Sequence, residues 1–408
     1  MVKKSEFIWN IIASVCASLL SVVLLFITTR VNGAEPAGMF AIAFASATVL
    51  NSIADFGMRV YQVTDAERKY SFGVYLSSRL AVDAAMLLCG LGFVLIGGYD
   101  REKALICLGL VGFRFIDAVS ETYQGEFQLN GRLDIAGKSV FYRMVVSIGV
   151  FAAADIITKN MAAAVFAMTF TNLLGLLLYD KRLIRNYTAE TVSGSKEKIW
   201  EVIKECFPLF FSTFLNNYIV NAPKYAIDRL LPYVMQTYFN IIYLPTFTIN
   251  LMSIFVLKPM LKSLGEMWSQ KEYRRFLGII AKMAAAIVAM TGLVEAVCLV
   301  MGIPVLEFIY GVELSAYKTD LLILVLSGGF SALGVALFYT LTTMRAQKYV
   351  SAAYIITALG GLILPGMLVE RYGITGAAVS SVVIMVILAC LLFGIFLVEW
   401  KRKDKVSE

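Results

Sequence analysis

Ile374 to Val398 reads ITGAAVSSVVIMVILACLLFGIFLV, without one charged side chain. At a rise of about 1.5 Å per residue, an α-helix of this length outspans the ~30 Å hydrocarbon layer of a bilayer. Lipid offers no water to peptide groups, so such a run is stable only as a helix that satisfies its own N–H and C=O groups.

Runs of the same kind recur along the whole chain. The apolar pattern predicts spans at 7–29, 37–58, 72–98, 103–123, 137–157 and 160–180, then at 205–223, 232–257, 279–303, 317–340, 350–368 and 374–398. Turn residues separate many of them, among them Asn32-Gly33, Gly97-Gly98 and Gly373. The 408 residues are 59% hydrophobic and 16% charged, with a mean hydropathy of +0.76. A soluble domain is roughly half apolar and a quarter charged, so this excess is too large for one buried core. The expected fold is an all-α integral membrane protein of about twelve transmembrane helices, in two six-helix halves around a central cavity. The expected parts are residues 1–180, a cytoplasmic linker 181–204, residues 205–398 and a basic tail 399–408. The first span is too long for a cleavable signal and is expected to be retained.

Lysine and arginine concentrate in the N-terminus, the even-numbered loops and the C-terminus, and thin out in the odd-numbered loops. Such a bias marks the cytoplasmic side, which predicts that both termini are cytoplasmic. In the linker, Ile199, Trp200, Val202 and Ile203 predict a short amphipathic stretch at the interface, ahead of Pro208 and span 7. Six spans in each half imply repeats of parallel topology.

Several functions are disfavoured by what the chain lacks. There is no histidine, so the commonest metal ligand and general base is missing. Cys16, Cys89, Cys107, Cys206, Cys298 and Cys390 are scattered without metal-ligand spacing, and read as small buried hydrophobes. Gly131 to Ser139 (GRLDIAGKS) approaches a phosphate loop, but five residues separate its glycines and no strand precedes it. No enzyme activity, cofactor, metal, ATP or nucleic-acid partner is expected.

The residues that invite a function are ionisable groups inside the spans, each costing roughly 2.5–3.5 kcal/mol at a helix centre. Arg79 and Asp83 share one face of span 3, and Arg114, Asp117 and Glu121 form one stripe on span 4. Span 5 adds Arg143. Asp83 and Arg114 fall near the same depth, so these helices can present one polar cluster to the bundle interior. Two readings of the cluster stand side by side: a balanced structural network, or a cavity whose arginines hold an anion through their planar forks. Arg30, Arg59, Lys224 and Lys258 flank the same axis at span ends. Pro259 is expected to break the helix beside Lys258. Glu295 is an isolated carboxylate in span 9.

Three strings carry a resemblance. Glu126-Phe-Gln-Leu-Asn-Gly-Arg132-Leu-Asp134-Ile-Ala-Gly137-Lys138-Ser139 lies between spans 4 and 5. Asn221-Ala-Pro223-Lys224-Tyr225-Ala-Ile-Asp228 ends span 7, and Leu244-Pro245-Thr-Phe follows it. With the run of span 1 into Arg30, Gly38 and Phe40, these make the whole chain resemble the polysaccharide transporters of the multidrug/oligosaccharidyl-lipid/polysaccharide exporter superfamily. The resemblance implies a flippase in the bacterial cytoplasmic membrane that moves undecaprenyl-pyrophosphate-linked oligosaccharide to the outer leaflet, for surface polysaccharide biosynthesis. Lipid, the lipid-linked oligosaccharide and polysaccharide-assembly proteins such as the polymerase are the implied partners. Arg30 and Lys224 are implied at the mouths of spans 1 and 7. Arg30, Arg59, Arg79, Arg114, Arg143, Lys224 and Lys258 are the expected substrate-binding cations, and Asp55, Asp83, Asp117 and Asp228 the expected ion-coupling groups. A cation-coupled drug exporter, a glycan polymerase or ligase, and a scaffold without transport are the alternatives.

Overall fold

A computed structural model describes residues 4–65, 67–188, 195–344 and 346–407, apart from the side chains at 4–7, 254–259, 261–263, 265–266, 347–348 and 403–407. Every regular element within them is helical. The chain forms two compact units, Met1–Asn217 and Tyr218–Glu408.

The first unit begins with α1 (Lys4–Asn32) and α2 (Ala34–Asp55), joined at Gly33 with φ 87. Short α3 (Met58–Thr64) leads to α4 (Phe72–Ile96), α5 (Arg101–Leu129) and α6 (Leu133–Thr158). α7 (Met161–Gly175) runs through a π-helical turn, Leu176–Asp180, into α8 (Lys181–Ile184). α1 packs along α6, while α2, α4 and α7 pack on α5. Leu24, Phe40, Met86, Ile106, Phe113 and Phe151 are buried in the resulting core. Gly137 is why α1 can lie so close to α6: a Cβ there would sit 2.7 Å from the Trp9 backbone.

α9 (Lys196–Leu230) spans the boundary between the units. The second unit continues with α10 (Tyr233–Ile242), α11 (Leu244–Ser269) and α12 (Tyr273–Val297), the last passing through a π turn into α13 (Ile303–Tyr310). α14 (Lys318–Thr343) and α15 (Gln347–Ser407) complete it, and α15 is bent at Gly373 (φ 58). α14 is central and carries α11, α12 and α15. Its contacts use small residues and hydroxyls, as membrane helices do where backbones must approach closely. Ser327 and Ser381 share a 2.8 Å hydrogen bond, Thr246 donates to the Leu324 carbonyl at 2.6 Å, and Gly328 and Gly329 lie against Thr246 and Thr291.

The helices follow the twelve expected spans. Eight described segments are long and apolar enough to cross a membrane, and the one over Tyr349–Arg402 is long enough to cross it twice. α5 falls outside that group because Arg114, Asp117 and Glu121 lie in its middle, and α9 because Asn216, Asn217 and Asn221 interrupt its apolar run.

Three expectations need correction. The amphipathic stretch at 199–203 is no separate element, since α9 runs unbroken from Lys196 through Pro208. Within the first unit its inner face buries Val202 and Cys206 against Phe56, Met58 and Tyr75, while Trp200 stays exposed. The span at 232–257 is two helices, divided at Tyr243. Pro259 does not break α11, which continues to Ser269.

Candidate functional site

The site in the first unit starts from a broken helix. α2 stops at Asp55 because Phe56 (φ 46) and Gly57 (φ 68) both take the left-handed conformation. Gly57 also permits a close approach, since a Cβ there would meet Leu209 at 2.5 Å. The Phe56 ring stacks on Phe210 with centroids 4.6 Å apart. A helix end leaves carbonyls without partners, and at membrane depth these must be satisfied inside the protein. Arg79 does this. Its Nη1 donates to the carbonyls of Ala54 and, at 3.0 Å, Asp55. Its Nε donates to Thr122 at 3.2 Å, and Nη2 lies 3.9 Å from Glu121. The guanidinium is fully buried, and its positive charge faces the negative end of α2.

The turn redirects α3 onto α5. Gln62 is seated directly over Gly125, where a Cβ would collide with its amide, and donates to the Thr122 carbonyl at 3.1 Å. One turn earlier on α3, Arg59 therefore reaches Gln124, to whose side-chain oxygen Nη1 donates. Gln124 in turn donates to Ser120 at 3.0 Å, and Ser120 to Asp180 at 2.5 Å. The π turn at the end of α7 brings Asp180 into this buried position.

Arg143 closes the network. Its Nη1 donates to Asn172 at 2.7 Å and Nη2 to Asp117 at 3.0 Å, with Asp180 3.7 Å from Nε. Gly175 makes room for the side chain, because a Cβ there would stand 2.6 Å from Arg143 Cγ. Arg114 lies 3.9 Å from Asp117, donates to Thr48 at 3.3 Å and sits over the Phe44 ring.

Beside these groups opens a cavity of about 220 Å³. Arg59, Asp117, Glu121 and Gln124 line it from α3 and α5, with Asn10 and Ser14 of α1 opposite. Arg59 spends one N–H direction on Gln124, whereas Arg79 and Arg143 are each held by three or more protein groups.

The expected residues thus separate. Arg59 and Asp117 line the cavity, and Arg79, Arg114 and Arg143 sit behind it in the network. Asp55 takes part through its backbone carbonyl. Asp83 is fully buried, neither of its oxygens has a hydrogen-bond partner, and no ion pair joins it to Arg114 among the described residues. The balanced network expected from Arg79, Arg114 and Arg143 with Asp83, Asp117 and Glu121 leaves out Asp180, which joins it. Arg30 is exposed. Lys224 and Asp228 are half-buried in the second unit, with the Lys224 ammonium 5.2 Å from the centre of the Tyr243 ring. The side chain of Lys258 lies outside the described residues. Sequence reasoning missed Asn10, Ser14, Ser120, Gln124 and Asp180. Ser120 and Gln124 continue the stripe of Asp117 and Glu121 on α5, which was the signal available.

Outside the spans, α9 is tied to the α3–α4 loop. Lys69 pairs with Glu201 at 2.9 Å and Glu205 at 3.1 Å, and Tyr61 donates to Glu205. Asp65 accepts from the N–H groups of Lys69 and Tyr70 and from the Tyr75 hydroxyl. Partial desolvation pushes the Asp65 carboxyl up, but these hydrogen bonds outweigh it and hold it below its ordinary value.

No family model and no curated protein matches the sequence. Solved structures do. A Vibrio cholerae MATE transporter in its bent form superimposes with a TM-score of 0.60, covering 99% of this chain and 98% of its own at 13% identity. The fold is that of the MATE transporters. A eukaryotic MATE transporter matches with a TM-score of 0.63 and 16% identity, over 99% of this chain and 98% of its own. A transporter of the MOP superfamily from Pyrococcus furiosus, described as having a binding pocket of reversed polarity, matches at 0.60 and 15% over 99% and 96%. The MATE fold therefore covers the whole chain and accounts for its multi-pass helical plan.

Proposed function

We propose that this chain is an alternating-access transporter that flips undecaprenyl-pyrophosphate-linked oligosaccharide across the bacterial cytoplasmic membrane, with both termini cytoplasmic. The observation that carries the reading is Arg59. Its guanidinium lines a polar cavity and, among the described residues, donates only to Gln124, and a planar fork of this kind takes a phosphate oxygen pair bidentately. Arg30, Lys224 and Lys258 are the further cations of the path. Asp117 on the cavity wall, the unpartnered Asp83, and Asp55 and Asp228 are the groups assigned to ion coupling. The isoprenoid tail needs no protein cavity, since it can remain in lipid while the pyrophosphate and sugars cross. The fold does not by itself fix the cargo, since the Pyrococcus furiosus transporter that shares it is described as having a binding pocket of reverse polarity and a different function.

A second reading is a cation-coupled multidrug exporter. It is favoured by one observation, that Asp117 and Glu121 line the same cavity as Arg59. Proteoliposomes separate the two. Under the flippase reading, fluorescent polyprenyl-pyrophosphate oligosaccharide becomes accessible to an added glycosidase on the far face, without ATP, and ethidium is not accumulated. Ion-driven ethidium transport without flipping would establish the exporter instead.

A further inference from the structure

The second unit holds a cavity that the pyrophosphate reading leaves unused. It measures about 390 Å³ and lies between the last turns of α9 and the middle of α15. That volume is within the range of small-molecule sites, roughly 300–1,000 Å³. Tyr218 and Tyr225 stand two turns apart on one face of α9 and contribute nearly parallel rings, 16° between planes and 6.4 Å between centroids. Arg229 and Glu370 stand at the exposed rim, and no hydrogen bond or ion pair among the described residues engages either.

The opposite wall is α15, where Leu362 and Pro365 stand among glycines that leave backbone open to the cavity. Gly361 and Gly366 of α15 line the cavity around Pro365. A Cβ on Gly361 would stand 3.7 Å from the Tyr218 ring, and one on Gly366 would meet nothing within 4 Å. Pro365 has no N–H to give to the Gly361 carbonyl four residues earlier, so the helix leaves an acceptor beside the cavity.

We infer that this cavity is a carbohydrate subsite, which binds a neutral pyranose of the lipid-linked glycan. The inference rests on the flippase reading for its biological cargo. A pyranose presents a flat array of polarised C–H bonds on one face and hydroxyls around its edge. The negative faces of the two tyrosine rings suit the first. The guanidinium fork, the carboxylate and the helix carbonyl suit the second, offering donors and acceptors to neighbouring hydroxyls. Arginine and glutamate cancel in net charge, which favours a neutral polyol over a bare phosphate or a cationic drug. An acyl chain would leave these polar groups desolvated and unpaired.

Purified full-length protein in nanodiscs tests this by titration calorimetry. The probes are farnesyl pyrophosphate and farnesyl-pyrophosphoryl glucose, galactose and N-acetylglucosamine, with free maltose, lactose and N,N′-diacetylchitobiose as tail-free controls. At least one sugar-bearing probe should bind about tenfold more tightly than farnesyl pyrophosphate, and its free disaccharide should bind weakly. Gly366→Phe, which fills the cavity without a clash at Cβ, should abolish that increment and leave bare farnesyl pyrophosphate unaffected. Tyr218→Leu and Tyr225→Leu should each remove part of it, and the phenylalanine variants should retain it. Equal affinities for all probes, or an increment that survives Gly366→Phe, would overturn the subsite. Absence of farnesyl pyrophosphate binding, with disaccharide binding intact and blocked by Gly366→Phe, would strike the pyrophosphate reading and leave the subsite standing.

Discussion

The two units hold their helices together by different means. In the first, arginines and carboxylates lie inside the bundle and nearly every one has a backbone or side-chain partner. In the second, α11, α12, α14 and α15 meet through glycines, serines and threonines. The first unit breaks α2 at Phe56-Gly57 and inserts a π turn before Asp180, and each irregularity exposes groups that lipid cannot satisfy. Charges are the repair. The second unit is irregular too, with a π turn at Cys298–Gly302, a division at Tyr243 and a bend at Gly373, yet among its described residues no buried arginine or lysine answers these breaks.

The comparison is broken most directly at Arg79. Arg79→Leu orphans the carbonyls of Ala54 and Asp55 and removes the ion pair to Glu121, so we expect a loss of roughly 3–5 kcal/mol, read as thermal unfolding in detergent. An unchanged melting temperature would show that the α2 break needs no cation. Gly329→Leu probes the other unit. Its Cβ would stand 2.8 Å from Thr291, and such overpacking costs about 1–3 kcal/mol. Ser327→Ala removes one interhelical hydrogen bond and should cost only about 0.6 kcal/mol. Equal losses at Arg79 and Ser327 would erase the distinction between the units.

A smaller effect concerns pH. The Asp65 carboxyl is held below its ordinary value by three hydrogen bonds, so its contribution is present above the unfolded value of 3.8 and is lost as pH falls through the lower folded value. Melting temperature should drop on acidification below about pH 4, and Asp65→Asn should flatten that limb. Lys69→Ala loosens exposed pairs to Glu201 and Glu205 and should leave the melting temperature nearly unchanged.

Span number and the turns at Gly33, Gly98 and Gly373 were legible in the sequence because apolar period and glycine punctuation are local signals. The charged stripe on α5 was legible for the same reason. The break after Asp55 was not, since Phe56 in a left-handed conformation depends on its stacking with distant Phe210. Arg79 and Arg143 read in sequence as binding groups equal to Arg59. Only the fold reveals that the first caps carbonyls and the second is surrounded by Asn172, Asp117 and Asp180. The unbroken passage of α9 through Pro208, and of α11 through Pro259, shows tertiary packing overriding a helix breaker.

The central claim is that Arg59 meets substrate at the cavity while Arg79, Arg114 and Arg143 behind it hold the fold. Flipping of fluorescent polyprenyl-pyrophosphate oligosaccharide should be measured in proteoliposomes for Arg59→Gln and Arg59→Lys, at matched protein and with melting temperatures recorded. The account predicts wild-type melting within about 1 kcal/mol for both, flipping reduced at least about tenfold in Arg59→Gln, and partial recovery in Arg59→Lys, which keeps the charge without the fork. Wild-type flipping by Arg59→Gln would contradict it.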